Sequence, residues 1–212
     1  ITALLLNPAF EPLLKERAGG KLSYNRVAAY DVLLRWRHRD DVKKILRHVY
    51  YLDVYLTVAG VARQRGFVFA KALGGDGLLQ LEGMYHPHLK KPVANSLYMD
   101  RNSNLIFLTG ANMAGKSTFM KALGITLFLA YMGFPVPASR MEFSVKDGIF
   151  TTINLPDNLG MGASHFYAEV LRVKKLAKEL GGGKRLFIIL DELFRGTNVK
   201  DACEATIAVT GA

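Results

Sequence analysis

Residues 110–117 read Gly-Ala-Asn-Met-Ala-Gly-Lys-Ser, a glycine and four further residues ahead of glycine, lysine and serine. Glycine lets a backbone curl through left-handed conformations, so successive amide hydrogens can converge on one anion. A helix starting behind such a turn adds the positive end of its dipole. In this pattern Lys116 reaches the terminal phosphates of a nucleotide and the Ser117 hydroxyl holds Mg²⁺. The plainer alternative is a glycine turn that merely caps a helix. The flanks favour the phosphate cradle. Residues 105–108 (Leu-Ile-Phe-Leu) form a short apolar run that reads as a buried strand feeding the turn. Residues 116–132 read as an apolar helix, stopped by Gly133 and Pro135.

A second apolar run, residues 186–190 (Leu-Phe-Ile-Ile-Leu), ends in Asp191-Glu192. An acid at the carboxyl edge of a buried strand beside a P-loop can hold Mg²⁺, usually through water. The next acid, Glu192, can polarise an attacking water as general base. Two acids that only cap a strand end are the structural alternative. The pair argues against a small-molecule kinase, which must keep water away from the transferred phosphoryl group. ATP hydrolysis is the better reading.

Two further segments are open on local sequence alone. Residues 158–169 (Asn-Leu-Gly-Met-Gly-Ala-Ser-His-Phe-Tyr-Ala-Glu) lead through small residues into a helix starting near Ser164 and ending near Gly181. Ser164 is then an ordinary N-cap or one that presents its hydroxyl to an anion. Residues Arg195, Gly196, Thr197 and Asn198 follow the acid pair, as a polar turn or as a loop sensing nucleotide across a subunit interface. His86, His88 and His165 show no metal-ligand spacing.

The front of the chain has a different texture. Val42, Ile45, Leu46, Val49, Leu52 and Leu56 recur at helical spacing and mark one apolar face. Residues 35–44 (Arg-Trp-Arg-His-Arg-Asp-Asp-Val-Lys-Lys) are a solvated approach to that helix or, alternatively, a nucleic-acid contact. Gly74, Gly75 and Gly77 form a flexible joint, and Pro87 and Pro92 forbid a long helix nearby. We therefore expect a helical segment over 1–72 and an α/β domain over 73–212, with Gly148 to Asn154 as a further strand.

Lys plus Arg number 28 against 18 Asp plus Glu, a formal charge of +10 that favours polyanionic partners such as nucleic acid. The single cysteine, Cys203, excludes an internal disulfide and suits a reducing cytoplasm; its apolar helical surroundings suggest a small core residue. The start of the chain carries no basic leader, and the longest apolar run is too short to span a bilayer. A soluble, cytoplasmic protein without a membrane role is expected.

Taken as longer strings, these motifs resemble one family. LTGANMAGKSTFMKALGITLFLAYMGFPVPASRMEF is similar to the ATPase domain of MutS-type proteins, which typically read TGPNMGGKST, then a helix, then a glycine and VPA. EGMYHPHL with PVAN resembles the approach to that domain, LGMGASHFYAEV its signature loop, and LDELFRGTN its Asp-Glu-x-x-Arg-Gly-Thr segment. The resemblance covers residues 80–210 strongly, and the helical front looks more loosely like the end of the family's helical core.

The resemblance implies an ABC-related P-loop NTPase sheet with flanking helices that works as a dimer. ATP with Mg²⁺ would lie on Gly110, Ala111, Asn112, Met113, Ala114, Gly115, Lys116, Ser117 and Thr118. Ser117 and Asp191 would hold the metal. Lys116, Glu192 and Asn112 would act on the γ-phosphate or the attacking water. From the other subunit, Gly162 and Ser164 would close the composite site, with Arg195, Gly196, Thr197 and Asn198 lining the interface. A homodimer, DNA as a partner, and a role in mismatch repair or recombination are implied in the same way. Ala111 and Ala114 replace the usual proline and glycine. Pro92 stands where the family places an adenine-stacking aromatic, with Tyr85 as the substitute. The chain ends ahead of the family's next strand, with its Thr-His switch, so we expect a C-terminally truncated domain with weak or absent hydrolysis by itself. Another ABC-class P-loop ATPase, or a nucleotide-switched DNA-binding and dimerisation module with little turnover, are the alternatives.

Overall fold

The computed structural model describes residues 2, 6–17, 19–75, 77–153, 165–194 and 197–211. The chain divides into two compact units, Ile1–Val61 and Ala62–Ala212.

The first unit is helical. A 3₁₀ turn, Pro8–Phe10, runs into α1 (Glu11–Leu14), followed by α2 (Tyr24–Asp31), a π-helical turn over Val32–Arg37, and α3 (Arg39–Arg65), whose last turn counts with the second unit. Buried Phe10 meets the ring of His38 edge-on at 5.2 Å, and the Tyr30 hydroxyl donates to Glu16 at 2.6 Å. The apolar periodicity of residues 42–56 does form a helix. That face is not covered throughout: Val49, Leu52 and Leu56 are all more than half exposed, since no described residue covers them. Periodicity selects a helix, but burial needs a partner surface.

The second unit mixes α and β. Its strands are β1 (Val68–Phe69), β2 (Lys71–Leu73), β3 (Leu79–Met84), β4 (Asn95–Met99), β5 (Pro135–Val136), β6 (Arg140–Ser144), β7 (Gly148–Thr151) and β8 (Leu186–Ile189). Its further helices are α4 (Lys116–Tyr131), α5 (His165–Gly181) and α6 (Val199–Thr210). Four strands join in the order β2-β6-β3-β4, β1 pairs with β5, and β7 pairs with β8 in parallel. Strand β3 buries alternate residues, Leu79 and Leu81, as period-two geometry requires, and then bulges before Met84. Gly83 sits in that bulge at φ 62°, where a Cβ would lie 2.3 Å from the Ser139 hydroxyl oxygen, so only glycine fits.

One contiguous core joins β3 (Leu79, Leu81, Met84), α4 (Ala122, Leu123, Leu127, Ala130), β6 (Met141, Phe143) and β8 (Ile189). Helix α4 is apolar nearly all round because both the four-stranded sheet and the parallel pair need its surface.

Two sequence expectations fail here. Residues 105–108 are not a buried strand. They carry no strand hydrogen bonding, and Leu105, Ile106, Phe107 and Leu108 are each at least 40% exposed. A strand exists only beside a hydrogen-bonded neighbour, and no described strand lies alongside this one. Cys203 is exposed rather than a core residue. The half-buried stripe of α6 runs through Ala202, Ala205, Thr206 and Val209, and Cys203 faces away from it. Among the described residues, no helix is long and apolar enough to cross a membrane.

Candidate phosphate site at the edge of the parallel pair

The glycine loop opens with Gly110 at φ 156°, turns through Met113 at φ 66°, and reaches α4 through Gly115 at φ 93°. Gly115 is the N-cap of α4 and offers no side-chain cap to the helix amides; the first turn also contains no acid. The amides that open a helix have no partner within it. A Cβ on Gly115, at the start of that helix, would meet nothing within 4 Å. A phosphate therefore fits the residues present: free donors, the helix dipole and open space.

Lys116 folds back over the loop. Its Nζ donates to the carbonyl oxygens of Gly110 at 2.7 Å and Ala111 at 3.0 Å. An ammonium has three donors, and two of them tie the Lys116 side chain to the loop's own carbonyls. Ser117 is half-buried beside it, whereas Ala111, Asn112, Met113, Ala114 and Thr118 are exposed.

The position of the acid pair follows from three contacts. The Lys146 amide, just before β7, donates to the hydroxyl of Tyr131 at the end of α4. At the other end of the strand, Thr151 pairs with Ile189 of β8. Ile189 Cδ1 lies 3.7 Å from where a Cβ on Gly124 would sit, half-way back along α4. Helix α4 thus runs opposite to both β7 and β8. Its start lies ~12 Å beyond Gly124, from the helical rise of 1.5 Å per residue. Asp191 lies ~7 Å beyond Ile189 by the strand rise. The start of α4 and the end of β8, from which Asp191 follows, therefore point toward the same edge.

The backbone of Asp191 is fixed from β7. Thr152, buried just past the strand, donates its amide to the Ile189 carbonyl at 3.0 Å and receives the Asp191 amide on its Oγ1 at 3.3 Å. At the opposite end of the pair, Asp147 accepts the Arg185 amide at 2.7 Å. That bond, reinforced by the Arg185 and Lys184 charges, holds the Asp147 carboxyl below the usual range. After Asp191 the chain turns sharply: Glu192 (φ 44°) and Phe194 (φ 59°) are both left-handed, the first exposed and the second buried.

Gly162, Ser164, Arg195 and Gly196 lie outside the described residues. Thr197 is half-buried, and its amide reaches the Phe194 carbonyl at 3.4 Å. Asn198 is the N-cap of α6, its Oδ1 accepting the Asp201 amide at 2.9 Å. Tyr85 gives its hydroxyl to the Arg65 carbonyl at 2.8 Å and packs edge-on against Phe67. Thr152, Phe166, Glu169 and Phe194 carry no sequence signal for the site; their importance lies in contacts between residues distant along the chain.

A mixed α/β unit with a glycine loop and an acid pair at one edge of a parallel strand pair is the class that these elements define. The family model described as MutS domain V matches residues 106–212. The DNA mismatch repair protein MutS of Fusobacterium nucleatum is 32% identical over 179 residues, 82% of this chain and 20% of that protein. The protein of the same name from Persephonella marina is 34% identical over 190 residues, 85% of this chain and 22% of that protein. That of Pseudothermotoga lettingae is 36% identical over 163 residues, 75% of this chain and 20% of that protein. The chain belongs to the MutS family, and it spans about a fifth of the length of the curated relatives it matches.

Proposed function

We propose that this chain carries the ATP-binding and ATP-hydrolysing part of a MutS-family protein, a P-loop NTPase module of the ABC-related kind. The observation that supports the reading is the antiparallel packing of α4 against β7 and β8, which directs the glycine-loop end of α4 and the acid-pair end of β8 toward one edge.

On this reading the loop amides and the start of α4 bind the β- and γ-phosphates of ATP, and Lys116 leaves the Gly110 and Ala111 carbonyls to reach them. Ser117 and Asp191 hold Mg²⁺, which neutralises charge on the phosphate oxygens. Glu192 accepts the proton of the attacking water as its oxygen bonds to the γ-phosphorus, and the bond to the leaving oxygen of ADP breaks. Asn112 orients the γ-phosphate or that water. Gly162 and Ser164 of a second copy close the site, beside an interface loop of Arg195 to Asn198. The helical front acts as the lever that couples nucleotide state to DNA in mismatch repair, the activity that the relatives' name states. The net charge of +10 suits a DNA partner.

Binding of a fluorescent ATP analogue with Mg²⁺, compared between wild type and Lys116→Ala, tests the site. The reading expects the variant to lose at least tenfold in affinity; equal affinity contradicts it.

A further inference from the structure

The turn carrying Glu192 should not hold its own shape. Glu192 and Phe194 both occupy left-handed conformations without being glycine. That region is rare for any side chain and a genuine outlier for a bulky one, so such a turn persists only where its surroundings enforce it. Two backbone ties act at its ends: Asp191 to Thr152, and Thr197 to Phe194. Among the described residues between them, the buried side chain is that of Phe194. It is 4% exposed and meets Phe166, in the first turn of α5, at a centroid separation of 6.0 Å and 53° between planes.

One helical turn on from Phe166, Glu169 continues the same face of α5. It is 8% exposed, and its Oε2 has no hydrogen-bond partner among the described residues. A face selected for stability alone would not bury a bare carboxylate oxygen there. Phe194 thus docks the acid's turn onto the face of α5 that carries Phe166.

We propose that Phe194 is the positioning residue for Glu192. Its ring, seated on Phe166, pins the turn of the acid to the start of α5. The carboxylate and the helix that follows residues 158–164 then move as one body. This rests on the reading of Glu192 as the group that activates water. Phe194 touches no substrate. It acts by keeping the Glu192 carboxylate in register with the phosphate edge, where a displacement of about 1 Å can cost ~100-fold in rate.

The test is steady-state ATP turnover and nucleotide affinity in the intact protein for Phe194→Ala, Phe166→Ala, the double variant and Phe194→Leu. The expected result is a tenfold or larger fall in kcat for each alanine variant, with nucleotide Kd within twofold of wild type. The double variant should be no slower than the slower single, and Phe194→Leu should recover most of the rate. A general folding defect would instead lower the fraction of protein that binds nucleotide. Turnover within twofold of wild type in Phe194→Ala, or losses that multiply in the double variant, would overturn the proposal. Should the wild type itself not hydrolyse ATP, the hydrolysis reading falls, and amide hydrogen exchange decides the coupling. Phe166→Ala must then speed exchange at residues 191–194 while leaving α4 unchanged; unchanged exchange at 191–194 overturns it.

Discussion

Asp191 hangs from Thr152: its amide donates to a buried threonine hydroxyl 3.3 Å away, just past the end of the neighbouring strand, although 39 residues separate the two in sequence. The first acid of the pair is thereby held by the end of β7 as well as by its own strand. Replacing Thr152 with valine keeps the shape and leaves the Asp191 amide without its acceptor. Loss of one such bond with its partner left behind costs about 1–3 kcal/mol. We expect Thr152→Val to lower stability by that order in denaturant titration and to weaken the Mg²⁺ dependence of ATP binding, with Thr152→Ser close to wild type.

Glu169 makes the opposite prediction. Its buried carboxyl has an oxygen without a partner among the described residues, an arrangement that costs stability. Glu169→Gln keeps the volume and removes the charge, so it is expected to raise stability, by on the order of 1 kcal/mol. Thermal unfolding reads this directly, and a fall in midpoint would contradict it.

The parallel pair has its own pH dependence. Asp147 accepts the Arg185 amide in the folded state, which lowers its carboxyl below the ordinary value. A group with a depressed folded pKa contributes stability above its unfolded value, and that contribution is lost as pH falls through the folded one. We expect stability to decline as pH drops below about 4, the ordinary aspartate value, and Asp147→Asn to flatten that part of the profile. An unchanged slope in the variant, followed by circular dichroism, would contradict the assignment.

Much of the phosphate edge is legible in the sequence because its signals are local. The helix behind Gly115 shows in an apolar run bounded by Gly133, and β8 shows in Leu-Phe-Ile-Ile ahead of Asp191. Strands β3, β4 and β6 are not legible. Gly83 and Glu82 interrupt the alternation of β3, and Arg140 and Glu142 sit in β6 as an ion pair at 3.0 Å. Residues 105–108 mislead for the converse reason: they have the composition of a buried strand, but pairing depends on a neighbour that composition cannot report. The left-handed Phe194 is equally hidden, since the Phe166 ring that it meets lies far back in the chain.

Glu192→Gln in the intact protein tests the central claim most directly. The substitution keeps the size of the side chain and removes the base. The account expects ATP to bind as in wild type while turnover falls by ~100-fold or more, the range for loss of a general base, with Lys116→Ala losing binding as well. Undiminished turnover in both variants would contradict the assignment of this edge as the site of hydrolysis.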